Sequence, residues 1–174
     1  AIGELSFDTT ANQVRIHDGS TAGGFKIGVG NFPTGTNNVV LGNTALDSLD
    51  STSPGGNNTA VGHDALTANT TASDGVAVGK DALKANTTGS NNVAVGSGAL
   101  ATSTTATDNT AIGHQALNAN TSGADNVALG TEAGHDITTG SRNTILGSKA
   151  ADAATTTDDS TLIGYNAGGS AIMT

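Results

Sequence analysis

The sequence predicts an all-β fold: a trimeric parallel β-roll or β-helix of stacked 17-residue coils, opened by an N-terminal β-hairpin cap. Three observations carry that expectation. Glycine returns at positions 42, 62, 79, 96, 113, 130, 147 and 164, at intervals of 17 residues after a first interval of 20. The positions flanking each glycine keep the same chemistry from coil to coil. Side chains are small throughout, so a repeat of this length cannot bury an apolar face alone and must stack on its neighbours.

Composition narrows the classes further. The 174 residues include no Cys, no Trp, one Met, one Tyr and three Phe, so the large anchors of a compact enzyme core are missing. Leu, Ile, Val and Phe make up roughly 18% of the chain, a fraction that usually accompanies disorder at high net charge, and the net charge is −9. Repetition therefore has to supply the order. With Asp and Glu at 15 against Lys and Arg at 6, a nucleic-acid backbone is a poor partner, because binding it needs clustered basic residues. No apolar run reaches the roughly 18 residues of a spanning helix, so no membrane insertion is expected. The absence of Cys removes disulfides and thiolate metal sites.

The elements follow in chain order. Residues 1–36 lie outside the repeat and are read as an N-terminal cap or junction. Leu5 and Phe7, then Val14 and Ile16, alternate on either side of a polar loop from Asp8 to Gln13, which is a hairpin pattern. Phe7, Phe25 and Phe32 all fall in this segment. Residues 37–174 form the stacked-coil shaft.

Numbered from its glycine, each coil has a large aliphatic at −1: Leu41, Val61, Val78, Val95, Ile112, Leu129, Leu146 and Ile163. This row is expected to form the coil core. Position −2 is mostly Ala, growing to Ile145 and Leu162 near the end, and +3 is always Ala. Ala65, Ala82, Ala99 and Ala116 are assigned to close packing between chains, so that Ala99→Leu should disrupt assembly. Position +4 is Leu in five coils and then Gly134, Ala151 and Gly168. The rest of the coil is polar and rich in Asn, Thr and Gly, which favour turns and strands over helix.

Consecutive apolar residues such as Val93, Ala94 and Val95 place apolar side chains on both faces of a strand. One face can line the chain's own coil. The other needs a partner, and a closed symmetric oligomer supplies it. A lone triangular solenoid would carry three aliphatic corners per coil, whereas only two are present here, so a subunit of a trimer is preferred.

The chemistry-bearing columns read mainly as structure. Thr70, Thr87, Thr104, Thr121, Thr138 and Thr155, each followed by Thr or Ser, suit turns that bond to local backbone better than a flat ice-binding array. Asn38, Asn58, Asn92, Asn109, Asn126 and Asn143 at −4 suit an amide ladder. Asp108 and Asp125 are neighbours with no Asn or Arg between them, a candidate for a bound cation. His63 and His114 share a column three coils apart, about 14 Å at strand spacing, too far to ligate one metal within a chain. Asp64, Asp81 and Glu132 are the carboxylates a polysaccharide-cleaving site would draw on, but nothing marks a pair. No catalytic residue, cofactor site or metal site is assigned, and the chain is read as a non-enzyme. The three extra residues of the first interval fall between Asp47 and Gly56, where Asp47, Asp50 and Ser51 are the candidate receptor-binding loop.

One coil carries a recognisable motif. Asn-Val-Ala-Val-Gly from Asn92 to Gly96, and Gly-x-x-Ala-Leu-x-x-Asn-Thr-Thr-Gly from Gly79 to Gly89, resemble the shaft repeats of bacteriophage tail fibres. With a longer polar loop they are also similar to the head repeats of trimeric autotransporter adhesins. The first segment adds Gly3-Glu4-Leu5, Asp8-Thr9 and His17-Asp18-Gly19-Ser20-Thr21, which resemble a small module of phage tail proteins. The resemblance implies a homotrimeric structural fibre module of a phage tail or receptor-binding apparatus, located on the virion tail and mediating host attachment. Its implied partners are other copies of the chain, other virion tail proteins and a host cell-surface glycan. A bacterial surface adhesin head is the first alternative, and a Thr-array ice-binding solenoid the second. The repeat breaks off at Thr174, ten residues into a coil, which leads us to expect more chain beyond it.

Overall fold

The computed structural model describes residues 4–8, 13–17, 25–32, 36–48 and 54–169, with side chains from Asn37 on. Among them there is no helix. Eleven strands form one sheet in strict sequence order: β1 (Glu4–Asp8), β2 (Gln13–His17), β3 (Phe25–Phe32), β4 (Thr36–Leu41), β5 (Thr59–Val61), β6 (Val76–Val78), β7 (Val93–Val95), β8 (Thr110–Ile112), β9 (Val127–Leu129), β10 (Thr144–Leu146) and β11 (Thr161–Ile163).

β1 and β2 pair as the antiparallel hairpin, with Leu5 opposite Ile16 and Phe7 opposite Val14. β3 pairs antiparallel with β2 on one side and β4 on the other. A three-stranded meander therefore covers the first edge of the stack, where an exposed row of backbone donors and acceptors would otherwise remain. From β4 to β11 every pairing is parallel and advances by one whole repeat, as in Ala60 opposite Ala77 and Ala77 opposite Ala94. The eight strands make a β-solenoid whose seven steps, at about 4.8 Å each, give a rod of roughly 34 Å.

Each coil is closed by two further ladders. Beyond the glycine turn, Leu66 N–H donates to Ala82 O and Leu83 N–H to Ala99 O, both at 3.0 Å. Thr70 and Thr87 N–H donate to Thr87 O and Thr104 O across the polar loop, at 3.0 and 2.9 Å. The backbone is thus bonded along the stack on every side of the coil, although only one side has strand geometry.

The core corrects the assignment made from the −1 row. Leu41, Ile112, Leu129, Leu146 and Ile163 are exposed at 42%, 38%, 44%, 37% and 66%, and Val61, Val78 and Val95 are only half-buried. They lie on the outer face of the sheet. The interior is built instead from the −2, +3 and +4 positions, as in Ala94, Ala99 and Leu100, all at 0%. Ala65, Ala82, Ala99 and Ala116 are likewise at 0% within the single chain, so they pack inside the coil rather than between chains. Ala99→Leu would overpack the coil interior, not an interface.

Local geometry explains why. Strand parity puts −2 on one face and −1 with −3 on the other. Consecutive residues +3 and +4 can both turn inward only if the backbone leaves strand geometry, and it does: Leu66, Leu83, Leu100 and Leu117 have φ of 49–52°. That left-handed conformation costs a bulky L-residue about 1–2 kcal/mol. Full burial of a leucine side chain contributes about 1.5–3 kcal/mol and offsets it.

Interior volume is conserved by exchange between columns. Where Leu at +4 gives way to Gly134, the space is filled by Ile137 and Ile145, whose Cδ1 atoms lie 3.4 and 2.9 Å from the place a Gly134 Cβ would occupy. At Gly168, Leu162 does the same.

Two sets of buried asparagines complete the interior. At −4, Asn109 Nδ2 donates to Asn92 Oδ1, Asn126 Nδ2 to Asn109 Oδ1, and Asn143 Nδ2 to Asn126 Oδ1, at 3.2, 3.0 and 2.9 Å. Each oxygen also accepts the backbone N–H of the next coil, as Asn92 Oδ1 does from Asn109 N. The amide ladder read from the sequence is therefore present from Asn92 to Asn143; before Gly75, Asn58 takes only its backbone N–H to Asn38 Oδ1 and turns its Nδ2 to Ala72 O. At +7, Asn69, Asn86 and Asn120 each clamp the residue three ahead, both accepting its N–H and donating to its carbonyl. Ser103 occupies this column between Asn86 and Asn120 but is too short to reach, and its Oγ is buried with no partner. We therefore expect Ser103→Asn to stabilise the fold by about 1 kcal/mol, read as a melting temperature some 2–4 °C higher; a lower one would mean that the pocket has closed around serine.

Candidate functional site

The outer face of the parallel sheet is the feature the fold leaves unfinished. Its −1 column is the aliphatic row from Leu41 to Ile163. Its −3 column reads Val39, Thr59, Val76, Val93, Thr110, Val127, Thr144 and Thr161. Strand residues alternate, so −3 and −1 point outward together while −2 points in, as the half-buried, buried, half-buried pattern of β6 and β7 records. The face carries sixteen side chains in eight layers, none of them charged, on a chain of net charge −9. Val39, Val127 and Leu129 are exposed at 44%, 41% and 44%. A continuous exposed apolar stripe of this kind marks an interaction surface.

The sequence reading found half of this face and placed it on the wrong side of the strand. The apolar triplets predict an outward apolar face, and that face is −1 with −3, while the alanines line the core. The −3 column went unassigned. The signal that settles the choice is side-chain size: a narrow coil that takes Leu at +4 holds Ala at −2 in four of five cases and Val40 in the other.

The remaining side of the rod is polar. Lys84 Nζ lies 2.9 Å from Asp81 Oδ1 and 3.0 Å from Asp64 Oδ2, Lys80 Nζ lies 2.7 Å from Asp81 Oδ2, and Thr44 Oγ1 donates to Asp64 Oδ1. These contacts tie the first three coils together. The Asp64 carboxyl is held below its ordinary value of 3.8 by the hydrogen bonds from Thr44 and then Lys84, and Asp81 is lowered by those from Lys80 and then Lys84. Lys84 is raised correspondingly by Asp81 and Asp64. His63 Nδ1 stands 3.3 Å from Asp64 Oδ2, so His63, Asp64 and Asp81 bring one ligand atom each to within 4.8 Å of one another. The Lys84 ammonium already bridges the two carboxylates, and a divalent cation would have to displace it.

Because both carboxyls are lowered by folding, their contribution is fully present above pH 3.8 and is lost as pH falls through the lowered values. The expected result is a melting-temperature gap between the native chain and Lys84→Met that is open at pH 7 and closes on acidification below 3.8. A gap independent of pH would show that the lysine acts through its hydrocarbon stem.

The other sequence candidates are dispersed. Glu132 is paired with Lys149 at 3.4 Å. Asp108 accepts from Asn91 Nδ2 at 3.0 Å, and Arg142 holds Asp159 through two bonds of 2.6 and 2.9 Å. The threonine column bonds to the next coil rather than to its own turn: Thr70, Thr87, Thr104, Thr121 and Thr138 Oγ1 each donate to the carbonyl 17 residues on, at 3.0–3.3 Å. Their hydroxyl hydrogens are thus committed within the protein. Of the loop candidates, Asp47 is exposed, while Asp50 and Ser51 lie outside the described residues. The loop rejoins the stack at Gly56, whose N–H donates to Ser73 Oγ at 3.1 Å.

No family model matches the chain, nor does any curated protein or solved structure.

Proposed function

We propose that the chain is a structural fibre module, a shaft segment of a phage tail or receptor-binding apparatus, assembled as a homotrimer and serving attachment to the host. The observation that carries this reading is the uncharged outer face running the length of an otherwise acidic rod. Three copies that turn this face inward bury it along the common axis and leave the ion pairs, threonines and polar loops on the outside. The repeat resemblance supports three as the number of copies, and the stacked coils suit a mechanical role. The rod holds other parts of the apparatus at a distance. Other tail proteins would join it end to end, and a host cell-surface glycan would meet its polar loops, with the three-residue insertion between Asp47 and Gly56 the first candidate.

The test is the mass in solution by size exclusion with light scattering. A homotrimer has three times 16.8 kDa, about 50 kDa. A mass near 16.8 kDa would sink the reading and leave the outer face bare in a single chain. Binding of the purified rod to whole bacterial cells, reduced by enzymatic removal of surface polysaccharide, is the companion result expected if the module itself takes part in recognition.

A further inference from the structure

The two outer columns differ in one respect that bulk hydrophobicity does not explain. Position −1 is always aliphatic, whereas −3 alternates irregularly between two side chains of nearly the same shape, in the order Val-Thr-Val-Val-Thr-Val-Thr-Thr from Val39 to Thr161. Valine and threonine differ by a hydroxyl, and a hydroxyl buried against methyl groups has no partner. Resting on the fibre reading above, we propose that this order is a register key, locking identical copies of the chain side by side in parallel with each coil against the same coil of its neighbour.

The occupant of the face is a second copy for two reasons. The sixteen side chains are uncharged and span all eight layers, with five of the eight −1 residues exposed at 37–66%, an extent that suits a stable interface between copies. In addition, a surface that repeats at one layer per coil and carries this order of hydroxyls is matched layer by layer only by itself. With copies in register, the threonines of one layer come together and can donate and accept among themselves. A slip of one coil sets Thr against Val in five of the seven overlapping layers, and a slip of two in three of six. An antiparallel arrangement mismatches four of eight at full overlap and two of seven when offset by one coil. A slip of three matches four of five but strips three coils of contact from each chain, and full parallel register alone matches all eight layers. An aperiodic key defeats the hazard built into a periodic rod, in which every shift by one repeat otherwise looks alike. Polar groups at single positions of an apolar seam fix register in coiled coils in the same way.

The absence of native cysteine makes a clean test possible. Chains carrying Leu146→Cys are co-expressed with tagged chains carrying Val95→Cys, three coils away, and the assembled protein is oxidised. Three coils are about 14 Å, beyond the reach of a disulfide. In the native sequence we expect disulfides between two Leu146→Cys chains and none between the two kinds of chain. In a background carrying Thr59→Val, Thr110→Val, Thr144→Val and Thr161→Val, which keeps the shape and removes the hydroxyls, we expect the same oligomeric mass together with a new mixed disulfide. Mixed disulfides in the native sequence would overturn the proposal, as would an oligomer lacking the Leu146→Cys pair, or an all-valine background that stays wholly in register. A monomeric mass would instead overturn the fibre reading itself, so the two failures are told apart by light scattering on the same samples.

Discussion

Replacing Gly96 by alanine is expected to cost the fold about 4 kcal/mol, from backbone strain and a steric clash together. Gly96 has φ of 139°, and a Cβ placed there would lie 2.3 Å from Gly113 O and 2.6 Å from Gly113 C. Neither is a side chain that can rotate away. The glycines at 62, 79 and 113 meet the next coil in the same way, so the turn column is a line of backbone-to-backbone contacts that sets how closely coils stack. Gly98 is the internal control. It too has a positive φ, 71°, but its nearest neighbours would be the flexible Gln115 and Asn118 side chains at 3.2 and 3.4 Å, and the same position holds Asp81 and Gln115 in the adjacent coils. Gly98→Asn is therefore expected to be neutral within about 0.5 kcal/mol. Urea midpoints compare the two directly, and equal shifts would contradict the contact account.

Asn109→Ala is expected to cost about 3 kcal/mol, because it removes several buried hydrogen bonds at once and strands a backbone N–H. Asn109 is at 0% exposure. Its Nδ2 donates to Asn92 Oδ1, Thr107 O and Gly123 O, and its Oδ1 accepts from both the backbone and the amide nitrogen of Asn126. Alanine leaves the Asn126 backbone N–H without its partner in a dry interior, and it takes one of two partners from both Asn126 Nδ2 and the Gly123 carbonyl, which keep Gly140 O and Asn120 Nδ2. Thr104→Ala, which removes one hydroxyl bond at the exposed edge, is expected to cost only about 0.5 kcal/mol. If the two variants melt alike, the ladder is not what holds the polar side of the coil together.

The sequence made the repeat, its phase and its turn column readable because these depend on residues that admit little substitution. Gly96 can be nothing else at its φ and contact distance. The Asn column was readable for a similar reason: a polar amide recurring at a fixed place has few other uses. The direction in which the aliphatic residues point was not readable from identity alone. Val95 and Leu100 are both large and apolar, yet one faces out and the other in. The difference is made by the left-handed turn at Leu100, for which leucine gives no local warning. A volume comparison down the columns would have revealed it. Ile145 and Leu162 enter at −2 in two of the three coils where Leu has left +4, and Ile145 also fills the space over Gly134 in the third, as residues sharing one cavity do. The ion-pair knot was hidden for another reason: Lys84 reaches back across coil boundaries to Asp64, a contact that depends on which side of the rod both residues occupy.

The direction of the inter-coil bonds has a mechanical consequence. They run along the rod, so a pull on its ends loads them in tension, many in parallel at each junction, while the polypeptide passes from coil to coil as a continuous thread. Parting one junction does not sever the rod. It releases one coil's slack of 17 residues, up to about 58 Å of extended chain at 3.4 Å per residue, more than the full height of the folded stack. A short solenoid of this design yields in steps and absorbs work before its ends separate.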